Sequence, residues 1–281
     1  MWDSDALRIP ATDYSQTIAA RLRRQPNREM ISTTEFRPKS LLEEFVVCFY
    51  FNKSDKFEYS GYANPTTNQE LFFNLGDRFE LTNSLGQVTC QRNWISGLQS
   101  KSSSIKSSGR HITAGVIFKP WGLYAAFGLN AKDLANKTID SRLLCDLSNE
   151  IGNNEFSDSQ FFDLMEYSLL KSIKRIRMTK VMHKIVTEIE QEDLATLSEK
   201  LTYSKKSIIE SFNKMIGLSP HKFFTLKCIC ETITVLQNNP TIKLTELAYS
   251  QGFYDQAHFI RVFKEHTGFT PKEFRNRIFQ T

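Results

Sequence analysis

Gly252-Phe253-Tyr254-Asp255-Gln256-Ala257-His258-Phe259 runs on through Arg261-Val262-Phe263-Lys264 to Gly268-Phe269-Thr270-Pro271 and Phe274-Arg275. Phe259 and Phe263 are four apart, which puts them on one helical face. Gly268 is placed to end that helix in a left-handed conformation, and Pro271 to open the next one. The same punctuation occurs 51 residues earlier: Phe212, Gly217, Pro220 and Phe223 precede Phe263, Gly268, Pro271 and Phe274 by that offset. The offset also carries Leu197 onto Ala248, Leu201 onto Gly252 and Ile208 onto Phe259. The C-terminal part therefore reads as two copies of one helical unit.

Each copy has the layout of a helix-turn-helix. In the first, Asp193 to Leu201 predicts a helix, Thr202-Tyr203 a turn, and Ser204 the N-cap of a second helix reaching about Met215. In the second, Leu244 to Gln251 predicts the first helix, Gly252 the turn and Asp255 to His266 the second helix. Pro220 to Leu236 predicts a linking helix, stopped by Asn238-Asn239-Pro240, and Met178 to Ile189 a further helix ahead of copy one.

Such a unit lays its second helix in the DNA major groove. The outward residues of copy one are Lys205, Lys206, Ser207, Glu210 and Ser211; those of copy two are Gln256, Ala257, His258, Arg261 and Lys264. Gln pairs with adenine, Arg and Lys hold guanine or phosphate, and Ser does either weakly. The plain alternative for any one lysine is a solvated surface charge. For Ser204 the cap outweighs a base contact. His258 has no second ligand beside it, so a surface or phosphate-facing role suits it better than a metal.

Charge supports the division. Residues 171–281 hold 18 Lys and Arg against 11 Asp and Glu, whereas residues 1–170 hold 18 against 20. A basic part that meets a polyanion beside a near-neutral part that does not is the simplest account. The chain of 281 residues is 40% hydrophobic and 24% charged, and it has no apolar run long enough for a spanning helix. Its acidic N-terminus, Met1-Trp2-Asp3-Ser4-Asp5, does not resemble a signal peptide. Five scattered cysteines, Cys48, Cys90, Cys145, Cys228 and Cys230, argue against a disulfide framework and for a reducing, cytoplasmic location.

Residues 31–130 read as mainly strand: Phe45 to Phe51, Glu70 to Leu75, Phe79 to Leu81 and Ile112 to Phe118, with Gly, Asn and Asp turns between them. The Ser-rich stretch from Lys101 to Gly109 reads as a mobile loop. Short helical pieces follow at Leu123–Phe127 and Leu143–Leu147. Ser159 to Ile176 then spaces Phe161, Phe162, Met165, Leu169 and Ile173 along one face. The expected architecture is α+β: a β-rich, barrel-like (cupin-like) N-terminal domain followed by an all-α domain with two helix-turn-helix motifs. The expected divisions are 1–30 as an N-terminal arm or extension with five arginines and no lysine, 31–170 as a sensory or dimerisation domain, and 171–281 as the DNA-binding domain. Trp94, Trp121, Tyr62 and Phe73 are candidates for a pocket wall, with plain core as the simpler role, so no ligand-binding residue is assigned.

An enzyme is the competing class. The N-terminal half holds one histidine, His111, and lacks a Gly-x-Ser-x-Gly elbow and a Gly-rich phosphate loop. No catalytic residue, metal or cofactor is expected. An adaptor that has lost DNA binding is the third class, and Glu210 is its support.

The stretch quoted first resembles the signature of the AraC/XylS family of bacterial transcription regulators, and the resemblance extends over about residues 175–278. It implies two helix-turn-helix units joined by a long helix. It also implies sequence-specific binding of double-stranded promoter DNA and activation through contact with RNA polymerase, with repression or ligand-independent action as alternatives. Companion domains in the family sense a small-molecule effector, form a homodimer, or both, and no membrane is involved. Four positions depart from the family pattern. Glu210 stands where an arginine is usual, Cys228 and Thr232 where arginine and alanine are usual, and Tyr254 where serine is common, leaving Asp255 to cap.

Overall fold

The computed structural model describes residues 32–38, 41–83, 85–90, 93–140, 158–173, 179–189 and 194–279. The arm expected at 1–30 and the helical piece expected at Leu143–Leu147 lie outside the described residues.

Eight antiparallel strands form one sheet: β1 (Ser32–Phe36), β2 (Val46–Ala63), β3 (Gln69–Asn74), β4 (Phe79–Asn83), β5 (Gly86–Cys90), β6 (Asn93–Ser96), β7 (Ser103–Phe118) and β8 (Thr138–Asp140). The order is β1-β2-β7-β3-β6-β8. β2 and β7 are long enough to serve two halves. The C-terminal half of β7 pairs β3, while its N-terminal half pairs β4, which in turn pairs β5. Register shifts on β2 between Val46 and Cys48 and between Ser54 and Phe57 bend the long ribbon.

Side chains alternate across the sheet, as a two-residue period requires. Phe49, Phe73, Ile95 and Val116 enter one core; their neighbours Tyr50, Phe72, Trp94 and Ile117 enter another. The first core is covered by α1 (Gly122–Phe127), α2 (Ala131–Leu134) and α3 (Asp158–Ser172), which supplies Phe161, Phe162, Met165 and Leu169. Ile173 packs at its edge, so the face predicted for that helix is the buried one. The second core is closed by Phe57, Tyr59, Phe79, Leu81 and Ile105 from the far half of the bent ribbon.

The expected barrel is not formed. The sheet curls over its second core but stays open, because β1 and β8 end the pairing path and do not pair with each other. Turn-separated strands do form, but closure depends on which edges meet. The Ser-rich stretch is likewise not a loop. Ser103 to Gly109 is the first half of β7, held between β2 and β4, and Ser103, Ile105 and Ser107 are its buried positions.

The remaining helices are α4 (Lys180–Glu188), α5 (Leu194–Leu201), α6 (Lys205–Ile216), α7 (Pro220–Asn238), α8 (Leu244–Ser250), α9 (Gln256–Thr267) and α10 (Pro271–Phe279). They build two cores that share α7. Phe223, Leu226 and Cys230 face Ile208 and Phe212 of the first unit; Ile229, Ile233 and Leu236 face Phe259 and Phe263 of the second. Gly217 and Gly268 end α6 and α9 with φ of 96° and 82°. Thr270 and Glu273 form a reciprocal capping box at α10: Thr270 N–H donates to Glu273 Oε2 at 2.7 Å and Glu273 N–H to Thr270 Oγ1 at 3.2 Å. The Thr270 N–H and the Thr270 hydroxyl, which also donates to Oε2 at 2.9 Å, hold the Glu273 carboxyl below its ordinary range.

Both units touch the sheet region. Leu98 and Tyr124 join the first helical core, and the Lys214 ammonium lies 5.6 Å from the Tyr124 ring centre. Tyr62 meets Phe269 edge-on at 5.2 Å, and the Cys230 thiol donates to Pro65 O at 3.4 Å. No described helix is long and apolar enough to cross a membrane.

Candidate nucleic-acid interface

The two units present α6 and α9 as their second helices. Ser204 caps α6 by accepting from Ser207 N–H at 3.1 Å; Asp255 caps α9 by accepting from His258 N–H at 2.7 Å. The cap of the second copy is thus Asp255 and not Tyr254. A carboxylate there also complements the positive end of the helix.

The turns differ in a way the single offset concealed. Thr202 N–H donates to Glu199 O and Tyr203 N–H to Ser198 O, at 3.3 and 3.2 Å. Gly252 N–H donates to Tyr249 O and Phe253 N–H to Ala248 O, both at 3.0 Å. These are the same pair of helix-ending bonds, with Thr202 (φ 55°) and Gly252 (φ 75°) as the left-handed residues. Thr202 therefore matches Gly252, fifty positions on, whereas Ser204 matches Asp255, fifty-one on. The second turn is one residue longer. Leu197 corresponds to Leu247, both fully buried, and not to Ala248.

Most of the residues singled out for DNA lie on the outer faces. Lys205, Lys206, Glu210, Gln256, Ala257, His258, Arg261 and Lys264 are exposed. Ser207 and Ser211 are half-buried, and the Ser207 hydroxyl lies 2.9 Å from Ser204 Oγ, within the cap. Lys206 Nζ stands 3.9 Å from Glu210 Oε1, one turn along α6. The acidic departure is therefore partnered on its own helix. His258 packs edge-on to Phe253 at 5.7 Å.

Other basic side chains are occupied elsewhere. Arg275 donates to Ile242 O at 3.2 Å, and the Arg277 guanidinium lies 4.1 Å from the Phe269 ring centre. The turns also expose Tyr203 and Tyr254, at 44% and 92%. Sequence reading treated Tyr254 only as a capping departure. The signal for both was an aromatic immediately before each cap.

On the sheet side, a cavity of about 50 Å³ is lined by Asn64, Thr66, Glu70, Ser96, Gln99 and neighbouring residues. None of the four aromatics considered for a pocket wall lines it. Trp94 and Phe73 are core, Trp121 is half-buried and donates to Glu44 O at 3.3 Å, and Tyr62 packs on Phe269. Among the described residues no group of three or more His, Cys, Asp or Glu is placed to hold a metal.

Residues 197–277 match a helix-turn-helix domain family, and residues 34–140 match a domain of unknown function, DUF6597. An uncharacterized HTH-type transcriptional regulator of Haemophilus influenzae is 25% identical over 117 residues, 41% of this chain and 39% of that protein. The HTH-type transcriptional regulator MtrA of Neisseria gonorrhoeae is 26% identical over 108 residues, 38% of this chain and 36% of that protein. The matched region thus spans under two-fifths of the length of these relatives. Among solved structures, ToxT from Vibrio cholerae aligns at 16% identity and a TM-score of 0.44, covering 83% of this chain and 99% of that one. The C-terminal domain of the response regulator yesN from Fusobacterium nucleatum aligns at 30% identity and a TM-score of 0.30, covering 34% and 99%.

Proposed function

We propose that this chain is a helix-turn-helix transcription regulator of the AraC/XylS type that binds promoter DNA in a sequence-specific way through both of its units. The observation that carries this is the duplicated build: two capped second helices, each with a polar outer face, mounted on one linking helix. In this reading Gln256, Arg261 and Lys264 contact base edges or adjacent phosphates from α9, with Ala257 and His258 closing on the groove. Lys205 and Lys206 hold phosphates from α6, with Ser207 and Ser211 beside them. Glu210 tempers Lys206 or accepts from a cytosine amine.

Family habit supports activation through RNA polymerase, a cytoplasmic location and a sheet domain that senses a small molecule or joins two copies. The small cavity beside Glu70, walled by Leu81 and Ile117 as well as polar groups, is where we place a small effector.

Selection of bound sequences from random duplexes by the full-length protein at physiological salt tests the reading. Two enriched blocks about one helical turn apart are expected. A single block would confine reading to one unit, and no enrichment by the folded protein, with and without its sheet domain, would sink it.

A further inference from the structure

We propose that Tyr203 and Tyr254 are a matched pair of uncharged phosphate contacts, one beside each second helix, whose phenol O–H groups donate to the DNA backbone. The proposal rests on the reading of α6 and α9 as the DNA-facing helices.

Each tyrosine is the residue immediately before the cap, Tyr203 before Ser204 and Tyr254 before Asp255. Counted from the caps, the same side chain precedes both second helices, whereas counted from the helix before the turn Tyr203 answers to Phe253. Both are exposed, and Tyr254 at 92% is the most solvent-open of the large hydrophobic side chains described. It occupies the longer of the two turns, where the added residue lifts it clear of the core.

The chain is tied down at Tyr203 in one unit and at Phe253, one residue before Tyr254, in the other. Tyr203 N–H donates to Ser198 O, and the Tyr203 carbonyl accepts from Ser198 Oγ at 2.5 Å. Phe253, just before Tyr254, is held by its bond to Ala248 and by ring contacts with His258 and Phe259. Fixed backbone with a free phenol is a low-entropy way to present one donor, since only two side-chain torsions need ordering. The residues that follow each tyrosine, Lys205 and Lys206 in one unit and Gln256 to His258 in the other, are exposed on the same end of the helix. A phenol there reaches backbone rather than base edge, and tyrosine is among the side chains that bond phosphate.

An uncharged donor displaces no counterion. It adds affinity without adding to the salt slope, which separates it from the lysines beside it.

Binding of the full-length protein to its selected duplex and to a scrambled duplex, each across a salt series, tests the pair. Tyr254→Phe and Tyr203→Phe are each expected to weaken binding about fivefold on both duplexes, with the salt slope unchanged. The double variant is expected to show roughly the product of the two losses. Phe variants that bind like the parent overturn the proposal, as does a loss confined to the selected duplex or a changed slope. If Tyr254→Ala weakens binding where Tyr254→Phe does not, ring packing replaces the hydroxyl contact and the proposal fails. Thermal melting of the variants is expected to match the parent, because neither hydroxyl is used inside the fold. A parent protein that binds no duplex sinks the DNA reading itself. A parent that binds beside indifferent Phe variants sinks only the tyrosines.

Discussion

The Nδ1 atom of His266 lies 2.5 Å from the backbone carbonyl oxygen of Ser100. A carbonyl only accepts, so the ring carries its proton on that nitrogen. Two residues on, Ser102 N–H donates to the carbonyl of His266 at 2.8 Å. The end of α9 is thus tied twice to the segment entering β7. His266→Ala removes one tie and is expected to cost about 1 kcal/mol and a few degrees of melting temperature. Faster hydrogen exchange at the Ser102 amide would report the loosening. Unchanged exchange would show that Tyr62, Phe269 and Arg277 hold the contact without it.

Arg261 is exposed on α9, while Lys205 is exposed in the first turn of α6. Arg261→Ala is expected to cost about 1–3 kcal/mol on the selected site and to relax preference at one or two base pairs. Lys205→Ala is expected to weaken all duplexes evenly and to lower the salt slope by about one. Quantitative binding to a library of single-base variants distinguishes the two patterns.

Glu210 and Lys206 are both well exposed, so their 3.9 Å pair contributes little to stability. Its effect is on charge. Glu210→Gln leaves Lys206 uncompensated, and Glu210→Arg adds a second cation. Both are expected to tighten binding and steepen the salt slope. Weaker and less selective binding by either variant would instead assign Glu210 to a cytosine amine.

His111 is buried, with its Nδ1 3.4 Å from Ser107 Oγ and its ring against Phe57 and Phe79. Burial lowers its pKa from 6.5 to about 4. The fold therefore holds it neutral, while the unfolded chain takes up a proton first as pH falls. Its contribution is present in full above pH 6.5 and is lost on going down to about 4. The loss amounts to about 3 kcal/mol at a rate of 1.4 kcal/mol per unit. Melting temperature is expected to fall through that window. In His111→Gln the fall should be shallower, and an identical pH profile would remove His111 as its source.

The helical part was legible because its signals are local. Caps at Ser204 and Asp255, glycines at 217 and 268 and aromatics four apart all act within one or two turns of chain. The extra residue in the second turn was hidden because Thr202, a non-glycine residue, takes the left-handed position that Gly252 takes in the other copy. Carrying the single offset of 51 back across the turn misaligned Leu197. The sheet was legible in its β-branched and aromatic runs at Phe45–Phe51 and Glu70–Leu75, but not in its extent. Ser103 to Gly109 has weak strand character and is held extended by β2 and β4, which are distant in sequence. Closure was no more readable, since it turns on what β1 and β8 pair with. The outer faces of α6 and α9 were readable from helical periodicity, whereas the partner of Glu210 required the actual rotamers.

α7 gives residues to both helical cores from a single rod of 19 residues. At 1.5 Å per residue it is roughly 28 Å long, close to the roughly 34 Å of one DNA turn. It acts as a crankshaft whose throws are set by sequence number. Inserting one residue between Cys230 and Ile233 would turn one bearing by about 100° against the other and slide it about 1.5 Å. Under the proposed reading, the spacing between the two DNA blocks is set by the length of a helix that need never touch a base, and target sites can drift in sequence far more freely than in phase.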